Sequence, residues 1–160
     1  MRGKSPNWLL GVLIPTTYIL GGEFYMLNNG YRYVKNIIEI DKFLKDTGNR
    51  YMLISQRRFK GKNNESGECE IPEGTTLGLQ ILEDHSEPII DKNTGLPKPD
   101  NTLETFEVTV VGAQYPLPIN KGSKVRLYDF IPEYSYYINY NFIFRFGRVE
   151  EIKDNKDASN

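Results

Sequence analysis

The chain has 160 residues, with 20 Lys and Arg against 21 Asp and Glu, giving a net charge of -1. A domain of this length buries roughly 68–70% of the surface its unfolded chain exposes, so it needs no metal or disulfide staple, and the balanced charge excludes a polycation or polyanion. One cysteine, Cys69, excludes an internal disulfide, and one histidine, His85, excludes a His-based zinc site or a two-histidine mechanism.

The most apolar run is Trp8 to Leu20, behind a basic start carrying Arg2 and Lys4. Its length suits a signal peptide, but no small-residue cleavage site follows Leu20. A membrane span needs about 20 apolar residues, and Pro15, Gly21, Gly22 and Glu23 interrupt this run. A third reading takes residues 1–25 as translated upstream sequence. Gly21-Gly22-Glu23 can be encoded by a purine-rich ribosome-binding stretch shortly before Met26, where translation would then begin. On that reading a single cytoplasmic domain occupies 26–152 and a polar, disordered tail occupies 153–160. If the leader is genuine, export or membrane anchoring is the alternative.

Tyr31 to Leu44 places Val34, Ile37, Ile38 and Leu44 near one helical face, and the stop signal Asp46-Thr47-Gly48-Asn49 follows. Strand signals come next. Tyr51–Phe59 is the first, and Thr75–Glu83 alternates Leu77, Leu79 and Ile81 against more polar neighbours. Leu103–Val111 sets Phe106, Val108 and Val110 against Glu107 and Thr109, and Lys124–Phe130 sets Val125 and Leu127 against Arg126 and Tyr128. In Tyr137–Val149, Ile138, Tyr140, Phe142, Phe144 and Phe146 share one face, which predicts one long strand with Tyr140 in the core. Gly61–Pro72, Pro88–Asn101 and Gln114–Ser123 are rich in Gly, Pro and Asn and read as loops.

Composition supports the same picture. Tyr (11) and Ile (15) are abundant while Ala occurs only at Ala113 and Ala158, a bias away from helix and toward strand. Asn, Ile, Lys and Tyr have AT-rich codons, so the gene is expected in a low-GC bacterium or a mobile element such as a plasmid, conjugative element or phage. The expected fold is mainly β: a small antiparallel barrel, OB-like, or a sandwich of five to six strands, with one N-terminal helix possible. The Gly-turn-then-strand segment Lys121–Leu127 resembles those of OB-like barrels.

Charge is uneven along the chain. Residues 50–62 carry Arg50, Arg57, Arg58, Lys60 and Lys62 with no acidic group, whereas 63–107 is strongly acidic. Basic groups interleaved with Tyr51 and Phe59 suit single-stranded nucleic acid, since cations meet phosphate and rings stack on bases. An outer barrel face would unite Arg57, Arg58, Lys60, Arg126, Tyr128 and Arg145. The same cations could instead guard an edge strand or pair with the acidic segment, and the isoelectric point near 5.9 favours that blander role. The Tyr-rich stretch supplies a rival surface, with Tyr134 and Tyr137 as anchors for a protein partner.

Catalytic patterns are sparse. Asp84-His85-Ser86 holds the residue types of a triad, yet neighbours on a strand point to opposite faces. Cys69 lies between Glu68 and Glu70, which disfavour a thiolate. No phosphate-loop, dinucleotide or EF-hand pattern occurs. The expectation is therefore a non-enzymatic accessory binding domain with no catalytic residues, metal or cofactor.

Overall fold

The computed structural model describes residues 28, 29, 32, 34 and 37–154. The expectations for 1–25, and for the tail beyond Asp154, lie outside the described residues. A boundary between two units falls after Lys35, and the fold below belongs to the second.

Helix α1 spans Ile40–Asp46, with Glu39 at its N-cap. The longer helix expected from Tyr31 does not extend that far: Ile37, Ile38 and Glu39 are irregular and Ile37 is exposed. The β-branched pair Ile37-Ile38 disfavours helix, which begins only at the residue after Glu39. The stop signal acts at its C-terminus. The Thr47 hydroxyl donates to the Phe43 carbonyl at 2.8 Å, and Gly48 (φ 68°) and Asn49 (φ 46°) then turn the chain out of the helix. Seven residues are too few for a helix to hold alone, so α1 depends on what it packs against. Phe43 supplies that contact, with its ring centroid 5.5 Å from Phe106 and 5.2 Å from Phe144.

Eight strands follow: β1 (Tyr51–Phe59), β2 (Lys62–Asn63), β3 (Cys69–Ile71), β4 (Gly74–Ile81), β5 (Thr105–Val111), β6 (Lys124–Phe130), β7 (Tyr136–Ile138) and β8 (Asn141–Glu151). The segment 61–72, expected as loop alone, contains the small hairpin β2–β3, and Cys69 is exposed on it. Five strands close a ring in the order β1-β4-β5-β8-β6, returning to β1. All junctions are antiparallel except β5–β8, which is parallel. With the barrel strands counted one to five along the chain, the ring reads 1-2-3-5-4, the connectivity of an OB-like barrel.

The barrel interior holds eleven buried residues, from Tyr51 and Leu53 on β1 to Phe144 and Phe146 on β8. Each buried aliphatic or aromatic side chain is worth about 1.5–3 kcal/mol, against about 0–1 kcal/mol for an exposed ion pair. Surface pairs such as Lys42–Asp46 and Arg58–Glu73 are therefore minor beside the core. Two side-chain clamps close gaps that strand pairing leaves. The Asn49 amide donates to Leu127 O at 2.9 Å and accepts from Leu127 N at 3.0 Å, tying the helix exit to β6. Gln56 bonds Leu117 N, Leu117 O and Ile119 O, holding the β5–β6 connection against β1.

The expected long strand from Tyr137 is instead a hairpin. Asn139 (φ 50°) and Tyr140 (φ 63°) make a two-residue turn, with Ile138 opposite Asn141 and Tyr137 opposite Phe142. Positive φ at both central residues marks the primed turns that match strand twist. Tyr140 lies at the tip and is 91% exposed, which overturns its expected place in the core.

Candidate functional site

A bulge in β1 sets which side chains face outward. Leu53 pairs with Leu79 and Ser55 with Gly78, leaving Ile54 as the extra residue. Without it, Arg57 and Phe59 would share the inward parity of Tyr51 and Leu53. The bulge reverses that parity, so Gln56 aligns with buried Leu77 while Arg57 turns outward opposite Thr76. Thr76 pairs with Thr109, and Thr109 with Arg145, so one row runs Arg57–Thr76–Thr109–Arg145 across four strands.

This row crosses a groove of about 180 Å³. The Thr76 and Thr109 hydroxyls, 2.9 Å apart, form its floor, and Arg57, Phe59, Glu107, Phe142, Ile143 and Arg145 line it. Sites that enclose a whole small ligand measure about 300–1,000 Å³. The groove is smaller than that, and so suits one group of a larger ligand that continues over the surface.

The two arginines differ. Arg57 is exposed and pairs with Glu107 at 2.7 Å. Arg145 is partly buried, lies with its guanidinium carbon 5.0 Å from the Phe59 ring centroid, and forms no ion pair among the described residues. Its Nε is buried without a hydrogen-bond acceptor. Burial pushes its pKa below the ordinary arginine value and the like charge of Arg57 adds to this, while Tyr136 opposes it. The Phe59 face offsets part of that cost by a cation–π contact but supplies no counter-charge.

Above the groove stands the β7–β8 hairpin. Tyr140 contacts Tyr137 at 6.5 Å between centroids, Tyr137 contacts Phe142 at 4.8 Å, and Phe142 stacks on Phe144 at 5.1 Å. The rings make a continuous column from an exposed tip into the core. Phe142, 52% exposed, belongs both to that column and to the groove wall. Tyr136, opposite Ile143 of the groove lining, and Ile138, opposite Asn141, are also exposed.

The sequence-derived basic set is thus divided. Arg57 and Arg145 meet in the groove, whereas Arg58 has the opposite parity and pairs with Glu73 at 3.1 Å. Lys60 is exposed at the exit of β1. Arg126 and Tyr128 lie on the β6–β8 surface: Arg126 is opposite Glu150, and Arg148 covers the Tyr128 ring at 4.3 Å while bonding Asp129 and Glu150. That surface carries its own acids and is not continuous with the groove lining. Of the alternative anchors, Tyr134 and Tyr137 are partly buried, and the more exposed rings are Tyr136 and Tyr140. Thr76, Thr109, Phe142 and Ile143 were not singled out as site residues, because their meeting depends on register and on the bulge.

The residues of the triad-like segment do not converge. Asp84 accepts from Ser86 N at 2.9 Å and Asn101 N at 2.8 Å, while His85 lies 3.3 Å from Glu83. Among the described residues no three His, Cys, Asp or Glu side chains gather as a metal site would require, and no helix is long and apolar enough to cross a membrane. No known protein family, characterised protein or solved structure matches the chain.

Proposed function

We propose that this is a non-enzymatic accessory domain that binds single-stranded nucleic acid along the β1-β4-β5-β8 groove, with the β7–β8 hairpin stacking on bases. The observation that carries the reading is the meeting of an arginine without a counter-ion, Arg145, with an exposed aromatic column that starts at Phe142 in the same groove. Cations beside open rings are what a phosphate–base polymer requires, and a groove sized for part of a ligand agrees with a chain that runs on. The bridging position of Phe142 makes the basic face and the Tyr-rich loop, rivals in the sequence, parts of one surface. The abundance of Asn, Ile, Lys and Tyr, whose codons are AT-rich, adds a setting to the proposal: a low-GC bacterium, its plasmid, conjugative element or phage, with a cytoplasmic location proposed alongside.

The test is a fluorescence-anisotropy titration of a labelled mixed-sequence single-stranded oligonucleotide over a range of salt. Two phosphate contacts, at Arg57 and Arg145, give a log–log salt slope of about -1.4, so a fourfold rise in salt weakens binding about sevenfold. Glu107→Gln removes a carboxylate from the groove and is expected to tighten binding. Absence of binding at low salt would refute the proposal. Tyr136 and Ile138, exposed outside the groove lining, support a second reading in which the hairpin holds a protein partner. An aromatic protein contact of that kind would respond little to salt. Export or tethering rests on residues 1–25, outside the described residues.

A further inference from the structure

The charge in the groove is not balanced by the protein itself. Glu107 is committed to Arg57, and no other carboxylate lines the groove. Arg145 is left desolvated on one side by Phe59, with a buried Nε that has no acceptor. The floor is also rich in donors. Thr76 and Thr109 are both buried, and their hydroxyls bond only each other among the described hydrogen bonds. One hydroxyl proton serves that bond, which leaves the other hydroxyl free to donate to a group in the groove. Buried donors left unpaired are rare in folded proteins; among the described residues they are the Nε atoms of Arg50 and Arg145, and only Arg145 lines the groove. A metal cation would worsen the charge imbalance; a carboxylate or phosphate oxygen meeting the guanidinium from the groove would offset it.

We infer that the floor of the groove is an oxyanion site that seats one phosphate group between the Arg145 guanidinium and the Thr76–Thr109 hydroxyl pair. The inference rests on the nucleic-acid reading for the source of that phosphate, but the site itself recognises the oxyanion. Arg145 supplies a planar fork of donors, and its weak hydration suits a half-dry wall better than lysine would. The hydroxyl pair adds a neutral donor that can rotate toward whichever oxygen is nearest. Phe142 on the same wall leaves the group next to the phosphate beside an aromatic face. One phosphate is thereby held in place while neighbouring nucleotides lie on the open hairpin.

The experiment is a titration of the full chain, followed through the arginine Nε–H and backbone amide resonances, with inorganic phosphate against chloride at equal ionic strength. Two further arms use a thymidylate tetramer and the same tetramer with uncharged methylphosphonate linkages. Saturable shifts of Arg145 Nε–H and of the Thr76 and Thr109 amides are expected with phosphate and with the charged tetramer. The uncharged tetramer is expected to bind at least tenfold more weakly. Arg145→Lys keeps the charge but loses the fork, and should weaken phosphate at least fivefold. Thr109→Val keeps the side-chain shape and should weaken it about threefold, with the remaining amide spectrum unchanged in both variants. If the charged tetramer binds while phosphate leaves Arg145 unshifted and both variants bind as wild type, the oxyanion site is refuted and the nucleic-acid reading survives. If phosphate shifts these resonances and neither tetramer binds, the site stands and that reading falls.

Discussion

Tyr51 joins the helical cap to the barrel through one hydrogen bond, whose direction while the phenol is protonated follows from its neighbours. The Thr47 hydroxyl gives its proton to the Phe43 carbonyl, so at 2.6 Å from Tyr51 it must accept the phenolic proton. Burial pushes the Tyr51 pKa up from 10.0 to about 12, and Thr47 counters part of this by turning its hydroxyl to donate to the phenolate once that forms. The folded state therefore holds this proton more tightly than the unfolded state. Its contribution to stability is complete below about pH 10 and is lost as pH rises toward 12. One unit of pKa difference is worth about 1.4 kcal/mol, so the loss is about 1.4 kcal/mol at pH 11 and approaches roughly 3 kcal/mol above both pKa values. Tyr51→Phe removes the hydroxyl and leaves Thr47 without its donor, a cost of about 0.5–1.5 kcal/mol at neutral pH. The phenylalanine has nothing to ionise. Urea unfolding of both proteins from neutral to strongly alkaline pH should show wild type more stable at first and the two curves crossing near pH 11. Curves that stay parallel over the whole range would refute this account of the Tyr51 environment.

The hairpin tip and the β4–β5 connection give two more tests. Tyr140→Gly places glycine where φ is 63°, and should stabilise the domain by about 1 kcal/mol in thermal or denaturant unfolding. The same variant should lose one stacking ring and bind an oligonucleotide roughly fivefold or more weakly; a destabilised protein with unchanged binding would contradict both expectations. At Asp84, the Ser86 side chain and the amides of Asn101 and Ser86 hold the carboxyl down from 3.8 to about 2. A depressed folded pKa contributes stability above the unfolded value that disappears as pH falls from about 4 to 2. Asp84→Asn should flatten that part of the acid unfolding curve, and an unchanged curve would remove Asp84 as its source.

What could be read in the sequence was what period two reports. The barrel strands β1, β4, β5 and β6 stand close to the expected spans because Leu77, Leu79, Val108, Val110, Val125 and Leu127 alternate with mostly more polar neighbours. Parity shifts were not legible. Period two alone separates adjacent Arg57 and Arg58, but the extra residue Ile54 falls within a continuous strand-like run, so nothing local signals that Arg57 is the one that turns outward. At Asn139-Tyr140 the turn lacks glycine, and a two-residue loop lets alternation continue on both sides without a break. The aromatic series therefore read as one strand, although Tyr136 and Ile138 leave the face that Phe142, Phe144 and Phe146 share. Arg145 was legible as a basic residue among aromatics; its missing counter-ion was not, since that depends on which carboxylate reaches Arg57.

The ring also has an order of assembly written into its seams. Strands β1, β4 and β5 are neighbours in the barrel sequence and pair over long registers, from Phe59–Gly74 to Tyr51–Ile81 and from Gly74–Val111 to Gln80–Thr105. Closure relies on two short junctions between distant parts of the chain: two register pairs join β1 to β6, and three join β5 to β8. Loop-closure entropy must be overcome before those pairs can form, so the three-stranded meander is the natural nucleus and the seams zip late. Contacts formed after the transition state govern how fast a protein opens rather than how fast it folds. Phe144 and Phe146, which meet β5 across the parallel seam, are thus the positions where truncation is expected to speed opening of the barrel, and of the groove that spans this seam, more than it slows folding.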